Sequence, residues 1–352
     1  MFIRMIAIAS LTVVSAGALL TAQTPPKADA QMQAVLDQLA RLGPKPIETL
    51  SPEEARRQPT PADAVMALLK SQNKSTAPEP VGNVENKTFP GPGGAVPIRI
   101  YTPTGSGPFP LILYIHGGGW VIATLDTYDA SARALTNAAA AVVVSTHYRQ
   151  APEHQFPAAH DDTWAAYEWV LKNAKSFNAD PMRVAVAGES AGGNMAAAIA
   201  MTARDRKVPM PVHQLLVYPV ANHAFDTPSY QENANAKPLG KAGMQWFFGH
   251  YLKSDADGAN PRVSILRATD FKGLPPATII TAQIDPLRSE GEMLARKLQD
   301  AGVKVHHQNF DSVAHEFFGM GAVVDKAKQA VQVAGSQLKA AFDQSRETRD
   351  QR

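Results

Sequence analysis

Residues 183–194 read RVAVAGESAGGN and pack an apolar run, a Gly-Glu-Ser-Ala-Gly pentapeptide and a helix start into one short stretch. The run 184–187 has the character of a buried parallel strand, and 195–203 (MAAAIAMTA) is rich in strong helix formers. Ser190 therefore stands at the corner of a strand–turn–helix unit. So tight a turn strains the serine backbone and excludes bulk two residues to either side, a demand that Gly188 and Gly192 meet. The turn pushes the hydroxyl out over the end of the sheet. It also leaves the Ala191 amide at a helix N-terminus, where it can bind a developing negative oxygen. A Gly-x-Ser-x-Gly run also arises by chance in chains rich in small residues, so the reading depends on partner groups elsewhere.

Around this corner, strands alternate with helices. Residues 84–101 alternate in polarity about the turn GPGG at 91–94 and read as a β-hairpin. Further strands are expected at 108–114, 141–146, 214–218, 277–283 and 303–310. Helices are expected at 129–140, 158–173, 241–252, 289–301 and 323–342. This order argues for an α/β fold with a mostly parallel sheet covered on both faces. Ahead of it, 31–42 has helical apolar spacing, 51–54 (SPEE) opens a helix with a serine cap and a first-turn proline, and 60–70 suggests a third helix. Those helices serve either as a cap over the site or as plain packing.

A nucleophilic serine needs a base, a group that orients the base, and oxyanion donors, all at one edge of the sheet. His315 follows the last strand and Asp285 the preceding one, which with Ser190 gives the chain order of an α/β-hydrolase. Among ten histidines, His213, His223 and His250 are downstream rivals, but none follows a strand end after a suitable acid. His306 and His307 point to opposite faces of a strand. Asp285 is preferred to Asp311 and Glu290 because it lies at a strand end. His116-Gly117-Gly118-Gly119-Trp120 ends the strand at 108–114. There Gly118 and Gly119 are the expected oxyanion donors beside Ala191, while His116 and Gly117 shape the turn. Trp120 and Glu189 are candidate pocket residues. The aromatics Trp246, Phe247, Phe248 and Tyr251 fall at helical spacing that suits a cap core better than an acyl pocket.

The chain of 352 residues is long enough for one large domain with a cap, and 45% hydrophobic with 19% charged residues is ordinary globular composition. A net charge of +2 gives no reason to expect nucleic acid as a partner. The absence of cysteine excludes disulfides and thiol chemistry. No metal is expected from the histidine spacing, and no cofactor is needed. Residues 1–22 carry one early cation, Arg4, then an apolar stretch too short to span a bilayer, the pattern of a secretory signal peptide. Cleavage after Ala18, Ala22 or Ala30 would leave an exported protein, periplasmic or secreted, without a stable membrane anchor.

HGGGW, the YRQAPEHQFPAA block from Tyr148, GESAGGN, DPLRSEG and HEFF occur in that order. Together they resemble the bacterial hormone-sensitive-lipase-like carboxylesterases of the α/β-hydrolase superfamily, over roughly 98–319. The resemblance implies a Ser-Asp-His carboxylesterase for short-chain esters, a small-molecule ester as partner, and a helical cap. It places that cap in residues 23–75 and an insertion at about 221–255 of a catalytic domain spanning 76–343. It is compatible with a homodimer. A charged tail, 344–352, is expected to be disordered. The chain departs from the usual family pattern at Glu189 (commonly aspartate), Ser289 (often aspartate), Gln150 (frequently leucine) and Glu316 (usually glycine). An amidase, lactonase or sugar deacetylase would use the same triad, because substrate choice lies in the cap and pocket. A non-catalytic receptor would be expected to have lost a triad member. An interfacial lipase would need an apolar lid, which the charged N-terminal helices do not suggest.

Overall fold

The computed structural model describes residues 26–350; the expected signal peptide and the last two residues lie outside them. Eight strands form one sheet in the order β1-β2-β4-β3-β5-β6-β7-β8. They are β1 (Asn83–Gly91), β2 (Gly94–Thr102), β3 (Phe109–Ile115), β4 (Val142–Thr146), β5 (Ala179–Glu189), β6 (Gln214–Val217), β7 (Ala277–Ile284) and β8 (Val305–Ala314). β1 pairs antiparallel with β2, and β2 antiparallel with β4. Every other pair is parallel.

The central strands are apolar throughout because both faces are covered, and their two-residue period divides the core in two. On one side Leu111, Leu113, Ile115, Val184, Val186 and Leu216 pack against α5 (Ala158–Asn173), α6 (Ala191–Arg206) and α10 (Arg288–Asp300). On the other, Ile112, Tyr114, Ala185, Ala187, Leu215 and Ile280 meet α4 (Asp129–Ala139) and α11 (Asp325–Asp350). Parallel connections carry the chain back to the same edge each time. The carboxyl ends of β3, β5, β7 and β8 therefore converge, the edge at which open α/β sheets build their sites.

The N-terminal segment packs on the core and also touches the β6–β7 connection. In α1 (Ala30–Leu42) and α3 (Pro61–Ser71), the buried residues Met32, Val35, Leu39, Val65 and Leu68 join the second core cluster, so these helices are packed onto the main domain. Between them, the turn at Ile47–Thr49 and α2 (Pro52–Arg56) reach the far side. There the Trp246 indole on α8 (Lys241–Tyr251) donates to the Leu50 carbonyl at 2.9 Å. The connection between β6 and β7 carries the helices expected there. It runs from 218 to 276, and its helices α7 (Pro228–Glu232), α8 and α9 (Asp255–Gly258) begin within the expected 221–255.

The C-terminus departs from expectation. Residues 344–350 continue α11 instead of forming a disordered tail. Once Ala334, Leu338 and Phe342 anchor the helix in the core, each further residue adds a hydrogen bond without a new nucleation cost. The Ser345 hydroxyl reaches the Met182 carbonyl at 3.3 Å.

Because Met32 is fully buried where α1 docks, Met32→Ala should lower unfolding stability by ~2 kcal/mol or more in urea denaturation. An unchanged midpoint would mean that α1 contributes nothing to the fold.

Candidate active site

β5 ends at Glu189 and α6 begins at Ala191, so Ser190 alone makes the corner, with φ 56° and ψ −118°. That conformation costs a non-glycine residue ~1–3 kcal/mol and persists because its surroundings fix it. The Ser190 amide donates to the Val217 carbonyl at 2.9 Å, and the Ser190 carbonyl accepts from Val220 at 3.2 Å. Glycine on either side permits the approach. A Cβ on Gly188 would stand 2.3 Å from the Gly192 carbonyl group, and one on Gly192 would stand 2.0 Å from the Ile115 oxygen. The start of α6 thus rests directly against the end of β3.

The corner brings Ser190 to His315. Its Oγ lies 3.1 Å from Nε2, while Nδ1 of the same ring lies 2.7 Å from Oδ2 of Asp285. A carboxylate can only accept, so Nδ1 carries the proton and Nε2 is left as the acceptor for the serine hydroxyl. Asp285 has no solvent exposure, and its Oδ1 accepts the Leu287 amide at 2.8 Å. Burial by itself would lower the His315 pKa, but the charges of Asp285, Glu316 and Glu189 outweigh it and raise the pKa above its ordinary value. His315 reaches this place through extra residues in β8. The pairing of Ala282 with Phe310 is followed by that of Ile284 with Ala314, and Ser312 takes a φ of 59° in between.

The glycine loop begins beside the corner, where a Cβ on Gly117 would stand 3.1 Å from the Glu189 carbonyl oxygen. Gly118 and Gly119 both have positive φ, at 90° and 56°. The Gly118 carbonyl accepts from Val121 and Ile122, while the Gly118 and Gly119 amides donate to no protein acceptor among the described residues. Ala191 is the first residue of α6, so its amide has no acceptor in the preceding turn. The loop is fixed from below. Tyr148 donates to the Gly117 carbonyl at 2.8 Å, and His116 Nδ1 donates to the same oxygen at 2.8 Å. Nε2 of His116 then accepts from His147 Nδ1 at 3.0 Å, and burial with the neighbouring His147 lowers the His116 pKa to about 3. Arg56 of α2 donates to the Val121 and Ala151 carbonyls and pairs with Glu153, tying the N-terminal segment to this loop. Gln150 adds bonds to the Ile122 and Ala123 carbonyls.

Two candidate pocket residues stand elsewhere. Trp120 is fully buried with its ring stacked on Tyr251 at 4.4 Å, a core position and not an open wall. Glu189 is 1% exposed and points behind the triad, where Tyr114 and Tyr218 both donate to its carboxylate. The strand's alternation explains this, because a residue next to the outward-turned serine faces into the sheet. Burial, together with the Glu316 charge, pushes Glu189 up to about 7. The ring of Tyr218 lies 4.5 Å from that of His315. Ser289 exchanges hydrogen bonds with Ser229, joining α10 to α7. Phe247 of α8, expected in the cap core, covers Gly119 closely enough that a Cβ there would strike its ring at 2.2 Å. Tyr114, Tyr128 and Tyr218 went unread in the sequence, since lone tyrosines in apolar strands and loops carry no spacing signal.

A serine, an imidazole and a buried carboxylate in series at the carboxyl edge of a parallel sheet, beside a glycine loop with free amides, define an acyl hydrolase of the α/β fold. A family model described as the α/β hydrolase fold matches residues 112–319. The chain belongs to that family, in its hormone-sensitive-lipase-like carboxylesterase branch. Carboxylic ester hydrolase LipN of Mycobacterium tuberculosis is 43% identical over 68% of this chain and 65% of its own length, so the match spans just under two thirds of that relative. Carboxylesterase NlhH of the same organism is 40% identical over 77% of this chain and 88% of that one. Among solved structures, an ester hydrolase from the metagenome of Lake Arreo, complexed with a bipyridine phosphonate derivative, superposes with a TM-score of 0.80. It is 37% identical and covers 89% of this chain and 99% of that one.

The contact of the Gly192 position with the Ile115 and His116 carbonyls leaves no room for a methyl group. Gly192→Ala should therefore abolish soluble expression or yield protein with a collapsed thermal transition. A variant folded as well as the wild type would refute the close packing of the turn.

Proposed function

We propose that the chain is a serine carboxylesterase that hydrolyses short-chain carboxylic esters through an acyl-enzyme on Ser190. The observation that carries this reading is the unbroken series from Ser190 Oγ through His315 to the buried Asp285. Ser190 Oγ attacks the ester carbonyl as its proton passes to His315 Nε2. The carbonyl electron pair moves onto the oxygen, which the Gly118, Gly119 and Ala191 amides receive. The tetrahedral species collapses, the alkoxide leaves with the proton from Nε2, and an acyl-serine remains. Water then enters, loses a proton to Nε2 and releases the acid by the same steps in reverse. Asp285 holds the imidazole in the Nδ1–H tautomer throughout. The close cover of Phe247 over Gly119 supports small acyl or alcohol groups.

Hydrolysis of p-nitrophenyl esters from acetate to palmitate should peak at short chains and vanish in Ser190→Ala. Absence of turnover at every length by folded protein would overturn the esterase reading. Asp285→Asn should lower kcat by about 10⁴, as expected when the imidazole loses its orienting carboxylate. Since His315 acts as a base only when neutral, and its pKa is raised, the acid limb of kcat/KM should lie above the ordinary imidazole pKa.

We also infer export, which the Arg4 and apolar pattern of residues 1–22 supports. N-terminal sequencing of protein recovered from the producing cells should then begin after Ala18, Ala22 or Ala30. A full-length N-terminus would overturn that inference.

A further inference from the structure

We propose that Glu316 is a positioning residue whose carboxylate stabilises the His315 imidazolium from its Nε2 side during acyl transfer. The inference rests on the esterase reading above. Glu316 Oε1 lies 3.7 Å from Nε2. That is too long for a hydrogen bond, so Nε2 remains available to Ser190, yet it is close enough for a charge interaction between the buried imidazole and a carboxylate that is 20% exposed. The carboxylate is held there by the Tyr128 hydroxyl, which donates to the same oxygen at 2.6 Å. Tyr128 is itself 4% exposed and stacked on His116, so the hold is rigid.

The backbone gives a second, independent reason. Glu316 has φ 71°, in the left-handed region that favours glycine. A glycine would occupy this position without strain, whereas glutamate occupies it at a cost. A side chain kept in strained geometry beside the reacting nitrogen is a sign of function.

The other groups around the imidazole leave this role unfilled. Asp285, beyond the end of β7, acts at Nδ1. Glu189, from β5, lies behind the ring of Tyr218, where that hydroxyl and Tyr114 both bind it and burial pushes it up to about 7. Tyr128, from the loop before α4, donates to Glu316, and Ser190 is the proton donor to Nε2. Glu316 is thus the carboxylate on the side from which the serine proton arrives. When that proton reaches Nε2, the Oγ–carbon bond forms and the charge of the oxyanion is matched by an imidazolium held between Asp285 and Glu316. Glu316 takes no proton itself, and the one on Nε2 continues to the leaving alkoxide. Burial holds the Glu316 carboxyl above its ordinary pKa, and the imidazolium and the Tyr128 hydroxyl oppose that by favouring the ionised form. Stabilising the imidazolium strengthens the base but moves the neutral, competent imidazole to higher pH.

The test compares wild type, Glu316→Gln and Glu316→Gly. Glutamine keeps an oxygen for Tyr128, and glycine relieves the backbone, so at least one variant should fold. The pH profile of kcat/KM on p-nitrophenyl acetate is read beside an NMR titration of the His315 ring, assigned with His315→Gln. Both midpoints should move to lower pH by ~0.5 unit or more in both variants, with the plateau kcat reduced several-fold and KM little changed. Unchanged midpoints in a folded variant would overturn the proposal. So would an effect confined to KM, which would make Glu316 a wall of the site. The ring titration needs no turnover, so a wild type inactive on esters would sink the esterase reading while a lowered His315 midpoint would still support the pairing.

Discussion

The structure turns on one close approach: the first turn of α6 lies against the end of β3 with only glycine hydrogens between them. A Cβ at 192 would meet the Ile115 carbonyl at 2.0 Å, and a Cβ at 188 would meet the Gly192 carbonyl group at 2.3 Å. Backbone atoms cannot swing aside as a flexible side chain can. The spacing of two glycines therefore decides whether the strand can reverse into the helix within one residue. That reversal lifts the serine hydroxyl above the sheet, holds its backbone in a strained conformation and leaves the Ala191 amide at the free end of a helix. Nucleophile and oxyanion donor are consequences of the same packing constraint.

The remaining groups arrive because parallel strands return the chain repeatedly to one edge. Distances in sequence are large: 125 residues separate Ser190 from His315, and 30 separate His315 from Asp285. The sheet's regular register converts them into two hydrogen bonds. The N-terminal segment then closes the arrangement from outside. Its helices α1 and α3 are docked in the core, and Arg56 and the Leu50 carbonyl bind the glycine-loop region and α8. A single segment thus joins the cap to the loop that carries Gly118 and Gly119.

Beneath the triad lies a polar layer that an apolar α/β core would not be expected to tolerate. The buried Glu189 is bound by Tyr114 and Tyr218 and the half-buried Glu316 by Tyr128, so each carboxyl has hydroxyl donors. Burial raises both carboxyl pKa values, and their charges in turn raise that of His315. The acid–base character of the imidazole is therefore set by a network and not by Asp285 alone.

What the sequence determined by itself was whatever depends on local pattern. Strand and helix positions follow from periodicity, the nucleophile from glycines at fixed offsets, and Asp285 and His315 from their places after successive strands. These signals are legible because backbone sterics and period-two burial act over a few residues. Only the tertiary structure decided the direction of Glu189, the core placement of Trp120, the position of Phe247 over Gly119, the Tyr128 contact of Glu316 and the continuation of α11 to residue 350. Each depends on what lies opposite a residue across the sheet or under the cap. Such a partner is brought near by folding from far along the chain, and nothing in the residue's own neighbourhood encodes it.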